Sequence, residues 1–352
     1  MFRPLLAAAL GFLCLLPEAA AQAPVASRST VFFAHDDQAM EQEEENARRT
    51  GRMVDALVLA VTGKTELSSA WRSLVKPEDR VGIKVATAGG RKFSSHRGIV
   101  AAVLAGLESA GLPRSRVIIW DRQTEQLRAA GFTSATTGAQ VRGIDPPRGF
   151  DRQATLSAPL LGTLMWGDLL FEESQRRAFG KPKKESDQLS STSHLASLLS
   201  REVNRIINIP VLADDRGCGV AGAIYNVTVP NVDNWRRFTQ THGPISSSPA
   251  ELYADERIGP KVVLHILDGL LAQYAGGQTF SPNYAFAHHT IYASKDPVAL
   301  DSVALRQLEV WRQQAKLPSI GSRGAWLEVA AQMGLGNCKE EAITLTQVQA
   351  AR

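Results

Sequence analysis

Four stretches of this sequence place polar groups where they could do chemistry. In RIINIPVLADDRGCGVAGAIYN, residues 205–226, Asn208 interrupts an apolar run. Pro210, Asp214, Asp215 and Arg216 follow, with Gly217, Gly219, Gly222 and finally Asn226. An amide buried without a partner costs about 1–3 kcal/mol, so Asn208 must bond either a neighbouring loop or a ligand. In RVGIKVATAGGRKFSSH, residues 80–96, Lys84 lies inside a strand-like segment, and Gly89, Gly90, Arg91, Lys92 and His96 come after it. Glycine turns before a helix start offer N–H groups to an anion, and these side chains add positive charge. The competing reading is a solvated loop with a serine cap. VIIWDR, residues 117–122, ends in Asp121 and Arg122, and KVVLHIL, residues 261–267, is followed by Asp268. Single aspartates at strand ends cap helices as readily as they move protons.

The elements that must position these groups alternate. Apolar patterning predicts strands at 80–86, 117–120, 140–144, 205–209, 261–267 and 290–293, with a short edge strand at 28–34. Helices are expected at 41–61, at 96–110 with Ser94 or Ser95 as N-cap, up to 130, at 194–202, and at 297–315. Residues 181–186 read as an exposed loop. The alternation predicts an α/β fold, a largely parallel sheet with helices on both faces, built as a single elaborated domain. In such a sheet ligands gather outside the carboxyl ends of the strands. Lys84, His96, Asp121, Asn208, Asp215, Asn226 and His242 are expected around one cleft at that edge. Asp296 suits an N-cap before Pro297, and Asp301 the first turns of the same helix. His265 reads as a core histidine and His35 as part of a surface turn. Since adjacent strand residues face opposite ways, only one of His288 and His289 could line a site.

Taken in order, SAWRSLVKPEDRVGIKV (69–85), the 205–226 segment and SKDPVALD (294–301) resemble the family of unknown function numbered 362. Its members show a strand ending IKVN, an INxPxLKxH segment, GxxGxxKN and a late DPVALD helix. Asn208, Pro210, Gly219, Gly222 and Asn226 fit that pattern, and the resemblance runs from about residue 31 to 336. Ala86, Ala213, Asp215 and Tyr225 depart from it, replacing an asparagine, the lysine and histidine of the middle motif, and the lysine before the last asparagine. His242 resembles the histidine that relatives carry after that motif, which makes it a general acid–base or metal-ligand candidate. In an enzyme reading the catalytic candidates are Lys84, His242 and Asp215, which stands where relatives have histidine, with Asp215 or His242 moving protons. Arg91, His96, Asp121, Asn208 and Asn226 would then bind substrate.

Composition narrows the rest. The 352 residues are 44% hydrophobic and 21% charged, with a formal charge of +4. There is no basic block with interleaved aromatics, which argues against nucleic-acid binding. Residues 1–23 read as a secretory signal peptide: Arg3, an apolar run from Leu5 to Leu16, and a small-x-small site ending at Ala23. The remaining 24–352 is expected to be periplasmic or secreted, without a membrane span. It keeps two cysteines, Cys218 and Cys338, whose pairing sequence leaves open. Some relatives carry ferredoxin-type clusters, but two cysteines are too few for one, so no iron–sulfur cluster is expected. Neither a G-x-S-x-G elbow nor an H-E-x-x-H pair occurs. Metal use and any other cofactor stay open. Two readings remain: an enzyme for a small anionic molecule, or a non-catalytic protein that binds a ligand or partner.

Overall fold

The computed structural model describes residues 28–41, 44–145, 149–157, 165–166, 189–190, 192–233, 235 and 248–350. Residues 1–23, expected to be a signal peptide, residues 181–186, expected to be a loop, and His242 lie outside the described residues.

Residues 81–85 show how the sheet is made. Val81, Ile83 and Val85 point to one face, Gly82 and Lys84 to the other, and all five are buried. Gly82 is a glycine because a side chain there would collide with the Trp120 ring. The described strands of four or more residues are β1 (Ser29–His35), β2 (Val81–Val85), β3 (Val117–Asp121), β4 (Gln140–Gly143), β5 (Phe150–Ser157), β6 (Thr192–Ala196), β7 (Arg205–Ile209), β8 (Val211–Asp215), β9 (Val262–Gln273), β10 (Ala285–Ser294) and β11 (Ile343–Gln347). The central sheet runs β11-β1-β10-β9-β7-β2-β3-β4, and β8 pairs beside β9. Pairs from β9 through β4 are parallel; β10 is antiparallel to both its neighbours.

Helices cover both faces. On one lie α1 (Ala47–Thr62), α2 (Leu67–Leu74), α3 (Arg97–Ser109) and α4 (Thr124–Ala129), packed on Ile83, Val85, Ile207 and Ile209. On the other lie α5 (Ala223–Thr228), α6 (Ser248–Tyr253), α7 (Pro297–Gln314) and α8 (Trp326–Gln332), packed with Ile118, Trp120 and Ile206. The α/β class and the largely parallel sheet expected from the alternation are present.

Four local expectations are corrected. The segment expected at the sheet edge, β1, is internal, because the C-terminal β11 pairs outside it in parallel. Residues 192–196, which overlap the start of the expected 194–202 helix, form β6 instead. They pair with β5, a partner that local propensity does not see, and only Leu198–Glu202 turn helically. Pro210 ends β7 as expected, yet the chain resumes at once as β8, which shifts over to pair with β9. Finally, α3 starts from His96 as its N-cap residue and neither Ser94 nor Ser95 caps it. Ser94 donates to the Gly90 carbonyl, and Ser95 donates to the Ile209 carbonyl.

Candidate functional site

Lys84, Asn208 and His265 are register partners on β2, β7 and β9, so their side chains form a row across one face of the sheet. All three are fully buried. Lys84 has three ammonium protons, and each has an acceptor: the Val85 carbonyl at 2.6 Å, Asp121 Oδ1 at 2.7 Å and Asn226 Oδ1 at 3.0 Å. Lysine is donor-only, so it fixes every amide beyond it. Asn226 must turn its oxygen to Lys84 and donate Nδ2 to Asn208 Oδ1 at 2.7 Å. Asn208 then donates Nδ2 to the Ala223 carbonyl and to His265 Nδ1 at 3.0 Å. His265 accepts at Nδ1 and is left with its proton on Nε2, facing the Tyr253 hydroxyl at 3.2 Å. Burial holds His265 neutral, with its pKa lowered to about 3.

The open reading of Asn208 thus resolves to a helix: it ties α5 to the sheet. Burial lowers the pKa of Lys84, and Asp121 opposes that shift. Asp121 also accepts from the Thr87 backbone at 2.7 Å and the Thr87 hydroxyl at 2.6 Å. Thr87, His265 and Tyr253 were not singled out as site residues, since nothing in their local sequence marks them; only the pairing of strands does.

Above this row lies a cleft of about 510 Å³ at the carboxyl edge. Asp121, Asn226 and Tyr225 line it, with Arg122, Trp235 and Gln278. Asp121 and Arg122 are its charged lining residues. The Arg122 guanidinium lies 5.8 Å from the Trp235 ring centroid and donates to the Pro230 and Val232 carbonyls. Lys84 and Asn208 do not line the cleft; they support the residues that do.

His96 and Arg91 lie elsewhere. They line a second pocket, of about 450 Å³, between the start of α3 and the end of α4. The sequence expectation of one cleft is therefore corrected to two. The loop from Ala86 to Ser95 lies between them, fastened by Ala86 N–H to Ser95 Oγ and by Ser95 N–H to the Ala86 carbonyl. The expected open helix N-terminus is corrected too: the His96 N–H donates to Asp268 Oδ2 at 2.7 Å and the Gly98 N–H to Glu45 Oε2 at 2.8 Å. Carboxylates of the protein already hold those donors.

Asp215 accepts from the Gly217 and Cys218 N–H groups and from Gln278 Nε2. It braces the turn after β8 and reaches the cleft only through Gln278. Cys218 and Cys338 form no disulfide. Of the paired histidines, His289 adopts a positive φ of 53° beside a strand irregularity, and neither residue lines either pocket. Among the described residues no group of three or more His, Cys, Asp or Glu is arranged to hold a metal, and no helix is long and apolar enough to cross a membrane.

Asp296 is the N-cap of α7, as expected, accepting from the Ala299 N–H at 2.8 Å. Asp301 acts beyond its own helix: its carboxylate accepts from the Ala223 and Ile224 N–H groups at the start of α5. Gly222 is required there, because a Cβ would collide with Asp301 Oδ1. Burial raises the Asp301 pKa from 3.8 to about 7, against the two backbone bonds. The folded protein therefore binds the proton more tightly than the unfolded chain. That stabilisation is fully present below the unfolded value and is lost as pH rises through the folded one. Denaturant melts should show stability declining between 3.8 and about 7 from this group. Asp301→Asn should remove that component; an unchanged pH profile in the variant would contradict the assignment.

Residues 175–306 match the model of the family described as domain of unknown function (DUF362). The resemblance read from the motifs is thereby shown over that stretch, which holds Asn208, Asn226, His265, Asp268 and Asp301. No curated protein matches the chain. Among solved structures it is similar to a structural-genomics target from Thermotoga maritima, at 10% identity and a TM-score of 0.39. That match covers 83% of this chain and 60% of the other. The chain thus spans about three fifths of that protein's length.

Proposed function

We propose that this is an exported enzyme for a small molecule bearing a carboxylate or phosphate, bound in the cleft over Asp121 and Asn226. The observation that carries the reading is the buried, fully satisfied row beneath the cleft, which ends on Asp121 at the floor. An ion pair in a core is no gain over apolar packing of the same volume. Holding Lys84 there is therefore better explained by what it does to Asp121, which it fixes in place together with Thr87.

In this reading Arg122 holds the anionic group of the substrate. Asp121 accepts a proton from the neighbouring atom, and Lys84 stays in place to orient it. Trp235 and Val229 cover the apolar part. A carboxylate base needs to be within hydrogen-bond reach of the proton it takes, and Asp121 is the carboxylate that lines this cleft. The export half of the proposal rests on the basic start, apolar run and small-x-small site of residues 1–23.

A second reading, a non-catalytic binding protein, has one observation in its favour. The side-chain oxygen and nitrogen of Asn226 and both oxygens of Asp121 already have partners within the protein. Such a floor is complete without a ligand.

One preparation tests the first reading. Protein recovered from the periplasm should begin at Pro24 and bind members of a panel of small carboxylates and phosphates, more weakly as salt rises. Arg122→Gln should weaken that binding at least tenfold while the thermal midpoint stays close to wild type. Equal binding by the variant, or preference for neutral compounds, would sink the anionic assignment.

A further inference from the structure

The second pocket carries an inference of its own, independent of the cleft. His96 Nδ1 lies 2.8 Å from Asp268 Oδ2 and 3.0 Å from Oδ1. A carboxylate only accepts, so Nδ1 carries a proton and donates. Asp268 is fully buried and is held in turn by the His96 and Leu270 N–H groups. The ring is thus fixed by one of its nitrogens. Its other nitrogen, Nε2, makes no hydrogen bond among the described residues, while the ring lines the pocket.

Around that ring stand four cationic side chains from three parts of the chain: Arg91 and Lys92 from the loop, Arg97 from α3, and Arg128 from α4. Glu44 and Glu45 are the carboxylates in the same lining. One Glu45 oxygen is taken by the Gly98 N–H, and the other is buried without a partner. Burial raises the Glu45 pKa, and the neighbouring His96 charge and the Gly98 N–H oppose that shift. For His96, burial works against the charge, but Asp268, Glu45 and Glu44 outweigh it and raise its pKa above the usual imidazole value.

We infer that this pocket is a second binding site, for a tetrahedral oxyanion of the phosphate or sulfate class, gripped by His96 Nε2–H and by the Arg91 and Arg128 guanidiniums. Guanidinium forks match the geometry of such an anion, and the pocket volume of about 450 Å³ leaves room for an organic group attached to it. The helix start contributes little, because Asp268 and Glu45 already occupy its N–H groups.

Inorganic sulfate is the probe, since its charge does not change across the neutral range. Calorimetric titration of the full-length mature protein at low salt should give saturable binding. That binding should weaken at least tenfold in His96→Gln and in the double variant Arg91→Ala/Arg128→Ala. It should weaken as pH rises above the raised pKa of His96, and Arg122→Gln in the cleft should leave it unchanged. Wild-type affinity in both pocket variants would overturn the inference, as would loss of sulfate binding in Arg122→Gln. The latter outcome would move the anion to the cleft and leave the proposed function standing.

Discussion

Lys84→Met is expected to destabilise the protein by about 3–5 kcal/mol, because removing one partner of a buried pair leaves the other charge uncompensated. The lost partner here is unusually well bound. Its three protons satisfy Val85, Asp121 and Asn226, and the pair is almost entirely out of solvent, at 0% and 6% side-chain exposure. The effect should spread along the row, since the orientation of Asn226, and through it of Asn208 and His265, is set by a donor-only neighbour. Neutralising the second member should reverse most of the loss. In Lys84→Met/Asp121→Asn neither member of the pair is charged, and the new amide still accepts from Thr87. Urea melts of both singles and the double form the cycle that isolates the pair. The account fails if Lys84→Met costs less than about 1 kcal/mol, or if the double is no better than the single.

The double variant also gives the second large effect. It should fold, yet turn over substrate about 10²- to 10⁴-fold more slowly, the usual contribution of a positioned acid–base group. Binding of the anionic part should persist, since Arg122 is untouched. The expected signature is therefore a fall in kcat with KM little changed. Wild-type kcat in the folded double variant would remove Asp121 from proton transfer. Binding without any turnover by the wild-type protein, across the whole panel, would favour the non-catalytic reading instead.

Much of the fold was legible before any coordinates. Fully buried apolar runs such as VGIKV and VIIW carry their own signature, because a parallel strand covered on both faces has no polar side to show. Helix caps at Asp296 with Pro297, and the close approach at Gly222, could also be anticipated from residue type alone. The errors fall where a distant partner overrode local preference. Residues 192–196 became a strand because β5 was available, and β1 became internal because β11 returned from the far end of the chain.

The site divides in the same way. Sequence by itself determined that Lys84, Asp121 and Asn208 would meet, since each belongs to the end of a central strand and a parallel sheet gathers such ends at one edge, whereas Asn226 reaches them from α5. It also marked His96 and Arg91 as charged groups near that edge. Only the tertiary structure decided that these two belong to a separate pocket, because the 86–95 loop folds back on itself through Ser95 and passes between them and the cleft. It decided, too, that Asp268 caps His96 rather than facing the cleft. Asp301 grips a helix 78 residues away in sequence. Those outcomes depend on contacts between residues far apart in the chain, and such contacts leave no trace in local spacing, whereas strand pattern and capping are set within a few residues of themselves.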